Sequence, residues 1–528
     1  MDDSTHSLMR SAKRFFSGTM LSRVSGLLRD IAMAFAFGTQ ETLAAFLMAF
    51  RFAHLLRRLL GEGALQTAFI PQFENLRKDS PEKAGRFFVD LYGSLSILLT
   101  GLIALAMIVC GLVLWLGDLS PGNQEIIFLS LLMFPSLLFI CLFGLNASLL
   151  QCEKNYFIPG VAPVAFNCAW IIGVFCVMHL PIAAAMPWLS GWIIIACLFQ
   201  WLITVPQTMK ILRSIGGIDW KKSVTIFSND VRRLSHPLFL GIIGVGASQI
   251  NNALDVLFAR YASPEGPAYL WYAIRIQQLP LALFGIAISG ALLPPLARAV
   301  KANELSKFRQ LLEFALERSL LLMLPITAAI ILLGGSSINL LYGHGDFHNE
   351  SIIRTTECLW GYGLGLIPMA LVLILAPAFY AQENYRVPTT ASVISMALNI
   401  GLNALFVMGL GWGTASVAYA TNISAWVNLA ILVFALREYS GKILSFYFWD
   451  RIWLTVWATV IASVGLLGVE KFVTGSTQIW GIAMGTVQFP RGIAVQTVHC
   501  VGLSVLFLGV FCVVAKKTGR IGQLDKSD

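Results

Sequence analysis

Charge of either sign is scarce in this sequence of 528 residues. Only 12% of its residues are charged, and Asp and Glu together number 28; soluble domains carry about 25% charged residues. So little charge excludes an ordinary water-facing surface. The nine cysteines form no Cys-x-x-Cys pair and no Cys/His cluster. That argues against a zinc or iron–sulfur framework and reads them as small buried hydrophobes. Alternating ten-residue strands are absent, which excludes a membrane β-barrel. No DxD-type or His-rich cluster occurs, so a metal-assisted glycosyl- or phosphotransferase lacks its acids. The sequence therefore argues against an enzyme, and implies no cofactor.

What is abundant is hydrocarbon. Hydrophobic residues make up 57% of the chain and the mean hydropathy is +0.74. Repeated apolar runs of 18 or more residues read as membrane spans. In lipid every backbone amide must be paired within its own segment, so the spans are helices and the fold class is an all-α polytopic membrane protein. Fourteen spans are expected, near 15–37, 43–70, 87–116, 124–150, 158–180, 186–209, 236–261, 267–295, 315–341, 358–381, 388–410, 413–436, 452–470 and 492–515. The N-terminus is polar and basic without a small-residue cleavage site, so the first span is expected to be its own targeting signal.

The basic residues support that count. With the N-terminus inside, 27 of the 37 Lys and Arg fall in inside segments, and only Arg354, Lys471 and Arg491 fall outside. Such a bias places both termini in the cytoplasm. The net charge of +9 is then a cytoplasmic-face bias and not a nucleic-acid footprint.

Two segments repeat. Ala45–Pro71 lies on Tyr269–Pro295 at an offset of 224, matching Arg51 to Arg275 and Pro71 to Pro295; Asn155–Pro159 lies on Asn384–Pro388 at an offset of 229. Even numbers of spans per repeat predict two six-helix lobes related by a pseudo-two-fold along the membrane normal. The expected divisions are 1–215 for helices 1–6, 216–440 for helices 7–12, and 441–528 for helices 13–14, which lie outside the repeat and have a separate job.

The stretch Met20–Pro71 organises the rest. It carries Arg23, Arg29, Asp30, Arg51, Arg57, Arg58 and Glu62 inside two apolar spans. An arginine at mid-bilayer costs about 2.5–3.5 kcal/mol, so several are kept only where they face protein or water and act there. Five arginines against two acids point to an anionic substrate; a cationic-drug exporter would want the opposite. Arg23 and Asp30, seven apart, share a helix face. Arg58 and Glu62, four apart, can pair along the helix, and Arg51 can snorkel or hold a lobe interface. Arg57 and Arg275 have no same-face acid nearby and are the ligand candidates, with Arg23 and Arg29. Planar guanidinium groups bind phosphate oxygens bidentately and stay charged. Ser22, Ser25, Gln66 and Gln249 supply polar lining.

The segments SRVSGLLRD (Ser22–Asp30), LLRRLLGEGALQTAFIP (Leu55–Pro71), AIRIQQLPLALFGIAISGALLPPLAR (Ala273–Arg298) and APAFYAQENYRVP (Ala376–Pro388) resemble the MurJ/MviN family, the lipid II flippases of the MOP exporter superfamily. The resemblance runs over essentially the whole chain. It implies transfer of undecaprenyl-pyrophosphate-linked disaccharide-pentapeptide (lipid II) from the inner to the outer leaflet of the bacterial cytoplasmic membrane, for cell wall synthesis. It implies alternating access of two lobes around a cationic cavity, with helices 13 and 14 grooved for the polyprenyl tail. Carried over, the cavity arginines are Arg23, Arg29, Arg57 and Arg275, Asp30 pairs with Arg29, and Glu62 holds the place of the family's helix-2 glutamate. Where the family often has aspartates, this chain has Ala44 and Ile274. A sodium site is implied at Asp255, Asn399, Asn403 and Thr421, and the coupling ion is sodium or chloride. The membrane potential is a further driving force, since two uncompensated negative charges gain about 4–5 kcal/mol per 100 mV. The expected partners are lipid II and the bilayer, with the chain monomeric or beside other cell-wall synthesis proteins. A flippase for another lipid-linked oligosaccharide, or a multidrug exporter of the same superfamily, is the alternative.

Overall fold

The structure, a computed structural model, describes residues 5–57, 64–215, 225–282, 286–440, 445–475 and 477–517. Among them the secondary structure is helical throughout. Contacts divide the chain into two units, Met1–Ala253 and Leu254–Asp528, with the division inside one long helix.

The first unit contains α1 (Thr5–Phe37), α2 (Glu41–Ala53), the single turn α3 (Leu55–Arg57), α4 (Ala64–Asp79), α5 (Pro81–Leu116), α6 (Pro121–Met133), α7 (Ser136–Cys152), α8 (Phe157–Val177), α9 (Ile182–Ser214) and the first part of α10 (Asn229–Ala262). The second holds the rest of α10, then α11 (Gly266–Pro280), α12 (Ile286–Lys301), α13 (Leu305–Tyr342), α14 (Asn349–Leu364), α15 (Leu366–Ala381), α16 (Arg386–Asn403), a π-helical turn (Ala404–Gly409), α17 (Ala415–Ser440), α18 (Phe446–Thr474), α19 (Gln478–Ala483) and α20 (Ile493–Lys517).

Local chemistry sets these boundaries. Ser80 and Ser120 precede Pro81 and Pro121 at the first turns of α5 and α6, where a missing N–H costs nothing. Ser445 caps α18, its hydroxyl accepting from Phe448 N at 3.2 Å. Helix α18 ends at Gly475, whose φ of 77° is left-handed and whose N–H bonds Lys471 O at 2.9 Å. Inside the helices, hydroxyls donate to the carbonyl one turn back: Ser130 to Ile126 O at 2.7 Å, Ser148 to Gly144 O at 2.8 Å and Thr459 to Thr455 O at 2.7 Å. A hydroxyl surrounded by hydrocarbon finds its partner in its own helix.

Among the described residues nine helices are long and apolar enough to cross a membrane, ten if the α6–α7 pair, bent by 48°, is one span. These match ten of the fourteen expected spans. The other four fall on the segments rich in polar residues. Helices α1 and α10 have the length, at 33 and 34 residues, but carry charges through their interiors. The expected span 43–70 is broken: α2 stops at Ala53 after 13 residues, and His54 is a turn whose ring Nδ1 bonds Phe50 O at 3.0 Å. Its counterpart α11 stops at Pro280 after 15 residues. Exposed apolar faces, such as Ile97, Leu105, Ile108 and Trp115 on α5, suit hydrocarbon and would be a liability in water.

The repeat is visible in packing. In the first unit α2 packs on α6, α4 on α5 and α8 on α9; in the second α11 packs on α14, α12 on α13 and α16 on α17. The second anchor recurs bond for bond. Lys154 and Glu383, 229 residues apart, are both left-handed, with φ of 56° and 59°. Asn155 N bonds Leu150 O at 2.9 Å, and Asn384 N bonds Phe379 O at 3.0 Å. Non-glycine residues seldom adopt this conformation, so its recurrence is more telling than matches between apolar runs.

Helices α18 and α20 pack on each other and on α13, around Leu332, Leu333, Ala462, Leu466, Leu503 and Phe507. Arg451 Nη1 meets Glu317 Oε1 at 2.7 Å. The connection between α18 and α20, expected as a loop from 471, holds more helix than a loop requires: α18 runs to Thr474 and α19 follows. It is pinned by Asn349, which donates to Val487 O at 2.9 Å and accepts from Phe489 N at 3.0 Å.

Candidate functional site

Helix α1 builds the first part of the candidate site. Arg29 and Asp30 are buried, with side chains 7% and 1% exposed and Nη2 to Oδ1 at 2.8 Å. The expected Arg29–Asp30 pair is therefore present. Arg29 Nε also donates to Asp30 Oδ1 at 3.1 Å, and Nη1 donates to Asn167 Oδ1 on α8 at 3.1 Å. The guanidinium stands 4.5 Å over the Trp170 ring. Asn167 in turn donates to Ser25 Oγ at 2.9 Å and to Ser22 O at 3.2 Å. Five polar groups thus stitch α1 to α8 where lipid would otherwise leave charges stranded. Arg29 is held by protein, whereas Arg23, a little under two turns earlier, and Ser22 are only partly buried.

Arg51 lies on α2 and reaches the backbone of α10, Nη1 to Asn252 O at 3.4 Å. Arg57 ends α3, beyond the break at His54, and is partly buried. The ring of His54 is buried, with Nε2 3.7 Å from Cys197 Sγ. Sequence reasoning passed over His54, and its place before an arginine-rich run was the available signal. Gln66, expected as polar lining, bonds Gln151. Arg58 and Glu62 lie outside the described residues.

In the second unit Arg275 is partly buried on α11 and stacks over Trp271, one turn earlier, at 4.5 Å. A cation over an indole face is partly desolvated yet keeps its in-plane N–H donors. Nearby Gln277 anchors α11 to α14, donating to Tyr362 O at 3.1 Å.

The four residues expected to bind sodium come together in this unit. Asn403 Nδ2 donates to Asp255 Oδ1 at 2.8 Å and to Asn399 Oδ1 at 3.0 Å. Asn399 Nδ2 donates to Thr421 Oγ1 at 3.2 Å, and Thr421 Oγ1 donates to Asp255 Oδ2 at 3.4 Å and Val417 O at 3.1 Å. The cluster offers oxygens to a cation from Asp255, Asn399, Asn403 and Thr421, on α10, α16 and α17. One carboxylate with neutral oxygens suits a hard monovalent ion. Among the described residues no cluster of three His, Cys, Asp or Glu is placed to hold a metal ion.

The fold is similar to that of solved MOP superfamily transporters. A solved MATE-family multidrug transporter of that superfamily, inward-facing, aligns with TM-score 0.63 at 14% identity over 82% of this chain and 98% of that one. The solved lipid II flippase MurJ in its inward closed conformation aligns with TM-score 0.77 at 22% identity, covering 96% of this chain and 98% of that one. Residues 33–484 match the family described as lipid II flippase MurJ. The probable lipid II flippase MurJ of Chlamydia trachomatis is 34% identical over 522 residues, 97% of this chain and 95% of that protein. The chain belongs to the MurJ family of lipid II flippases.

Proposed function

We propose that this protein flips lipid II from the cytoplasmic to the outer leaflet of the bacterial cytoplasmic membrane by alternating access. Membership of the MurJ family carries the reading. The arginines support it: each sits on a helix that is broken or unusually polar, and none is balanced by an excess of acid. The ten apolar spans, together with α1, α2–α4, α10 and α11–α12, make fourteen crossings, with both termini in the cytoplasm. The chain is divided into two six-helix lobes, and α18 with α20 carries the polyprenyl tail.

In this mechanism Arg23, Arg57 and Arg275 take the pyrophosphate oxygens. Arg29, paired with Asp30, holds α1 to α8 and adds positive potential, while Arg51 ties α2 to α10 and Ser22 lines the sugar path. Bidentate guanidinium bonds replace the water that the diphosphate loses. The substrate neutralises the cations, and closure follows only if the closed state binds it more tightly than the open one. The isoprenoid tail stays in lipid. Sodium, where bound, rests on Asp255, Asn399, Asn403 and Thr421 and supplies a positive charge that fixes α10 against α16 and α17.

Complementation tests the reading. The wild-type chain, expressed in a bacterium depleted of its lipid II flippase, is expected to restore growth and outward labelling of lipid II. Failure at normal membrane abundance, with transport of another lipid-linked glycan instead, would replace lipid II as the substrate.

A further inference from the structure

Asp30 and Asp255 stand at the same place in the two copies of the repeat. They are 225 residues apart, one more than the offset that lays Ala45–Pro71 on Tyr269–Pro295. Each stands seven residues before the last residue of its helix, Phe37 on α1 and Ala262 on α10. Each is buried, at 1% and 6% exposure. Each is also tied to the helix that follows one of the paired left-handed residues. Asp30 reaches α8 through Arg29 and Asn167, and Asp255 accepts directly from Asn403 of α16. Helices α8 and α16 begin at Phe157 and Arg386, 229 residues apart, and run unbroken past these contacts. At that offset Trp170 answers to Asn399 and Val174 to Asn403.

What differs between the copies is the residue beside the aspartate and the groups facing it. In the first unit the preceding residue is Arg29. Its guanidinium donates to Asp30 Oδ1 from Nη2 at 2.8 Å and from Nε at 3.1 Å. Its other sides are taken by Asn167 Oδ1 at 3.1 Å and by the Trp170 ring at 4.5 Å. In the second unit the preceding residue is Leu254, which brings no charge. The places of Trp170 and Val174 are held by the amides of Asn399 and Asn403, and Thr421 Oγ1 joins them 3.4 Å from Asp255 Oδ2. These exchanges go together. An arginine with an indole suits a planar cation that stacks on its face and donates at its edge. A leucine with amide and hydroxyl oxygens suits a bare hard ion.

We propose that the repeat carries one cation centre in each copy, and that Arg29 is the permanent occupant of the first. The chain's own guanidinium takes there the place that a small monovalent cation takes beside Asp255. A carboxylate buried at membrane depth is kept where a positive charge accompanies it. The first centre is therefore charged and paired under all ionic conditions, and binding and release are confined to the second. At these centres the chain exchanges one cation and not two. The equivalence is read from the repeat and the bonds; the exchangeable occupant of the second centre rests on the sodium reading.

Thermal unfolding of the full-length protein in nanodiscs tests this, in sodium, potassium or choline chloride at equal ionic strength. Binding to the folded state raises the melting temperature. Leu254→Arg supplies the second copy with the first copy's arginine. It is expected to lose the sodium-dependent rise expected of wild type. Arg29→Ala removes the tethered cation, so its melting temperature is expected to fall and millimolar methylguanidinium to restore part of the loss, with no rise in wild type. Methylammonium, which has the charge but not the planar fork, is expected to restore less. A sodium-dependent rise that survives in Leu254→Arg overturns the proposal. So does an Arg29→Ala protein that methylguanidinium leaves unchanged, and this arm decides alone if Leu254→Arg does not fold. A wild-type protein indifferent to sodium refutes the sodium reading and the proposal with it. A wild-type response beside failure in either variant refutes the proposal and leaves the sodium reading standing.

Discussion

Arg29 and Asp30 are consecutive on α1, yet their side chains meet at 2.8 Å in a buried ion pair. Neighbours at i and i+1 normally diverge on a helix. Here the guanidinium folds back because Asn167 and Trp170 of α8 fix its far side.

That geometry predicts an asymmetry between single and double variants. Arg29→Met or Asp30→Leu alone strands one buried charge and is expected to cost about 3–5 kcal/mol. The double variant Arg29→Met/Asp30→Leu is expected to recover much of that loss. Thermal unfolding of the purified protein in detergent measures it; equal melting temperatures for all three variants would show that the pair does not hold α1 to α8.

Arg57→Ala and Arg275→Ala are expected to abolish complementation at unchanged membrane abundance. Lysine at either position keeps the charge but not the fork, so partial activity is expected. If both alanine variants rescue as well as wild type, the phosphate-binding assignment fails.

Sodium is expected to raise the melting temperature of the wild-type protein, and potassium at equal ionic strength is not. A ligand at a hundred times its dissociation constant stabilises by about 2.7 kcal/mol. Asp255→Asn removes the only carboxylate among the four residues and is expected to erase the difference between the two ions. A sodium effect that persists in Asp255→Asn places the ion elsewhere.

The connection between α18 and α20 should depend on one side chain. Asn349 bonds both Val487 O and Phe489 N, so Asn349→Ala is expected to speed hydrogen exchange at 484–492 without altering α18 or α20. At the opposite end of α18, Glu317→Gln is expected to cost only about 1 kcal/mol, since Arg451 is 42% exposed and its charge is screened.

Much of the fold is legible without coordinates. Ten spans follow from runs of apolar residues, because a helix that must bury its amides in lipid announces itself by length and composition. The repeat is legible in Arg51 and Arg275 and in the two Asn-Tyr segments, and the paired left-handed residues Lys154 and Glu383 reinforce it. The Arg29–Asp30 pair and the Asp255, Asn399, Asn403 and Thr421 cluster were legible through family likeness. The break at His54 was not: its neighbours are apolar enough to read as continuous helix, and a ring bonded to a local carbonyl leaves no periodic signal.

Composition and charge placement alone determined that this chain is helical, crosses the membrane many times and keeps arginines inside it, because hydrocarbon penalises unpaired amides and charges wherever they fall. Only tertiary structure decided which cation is held by protein and which oxygens from three helices share one site. Those outcomes depend on distances between segments far apart in the chain, which no local pattern records.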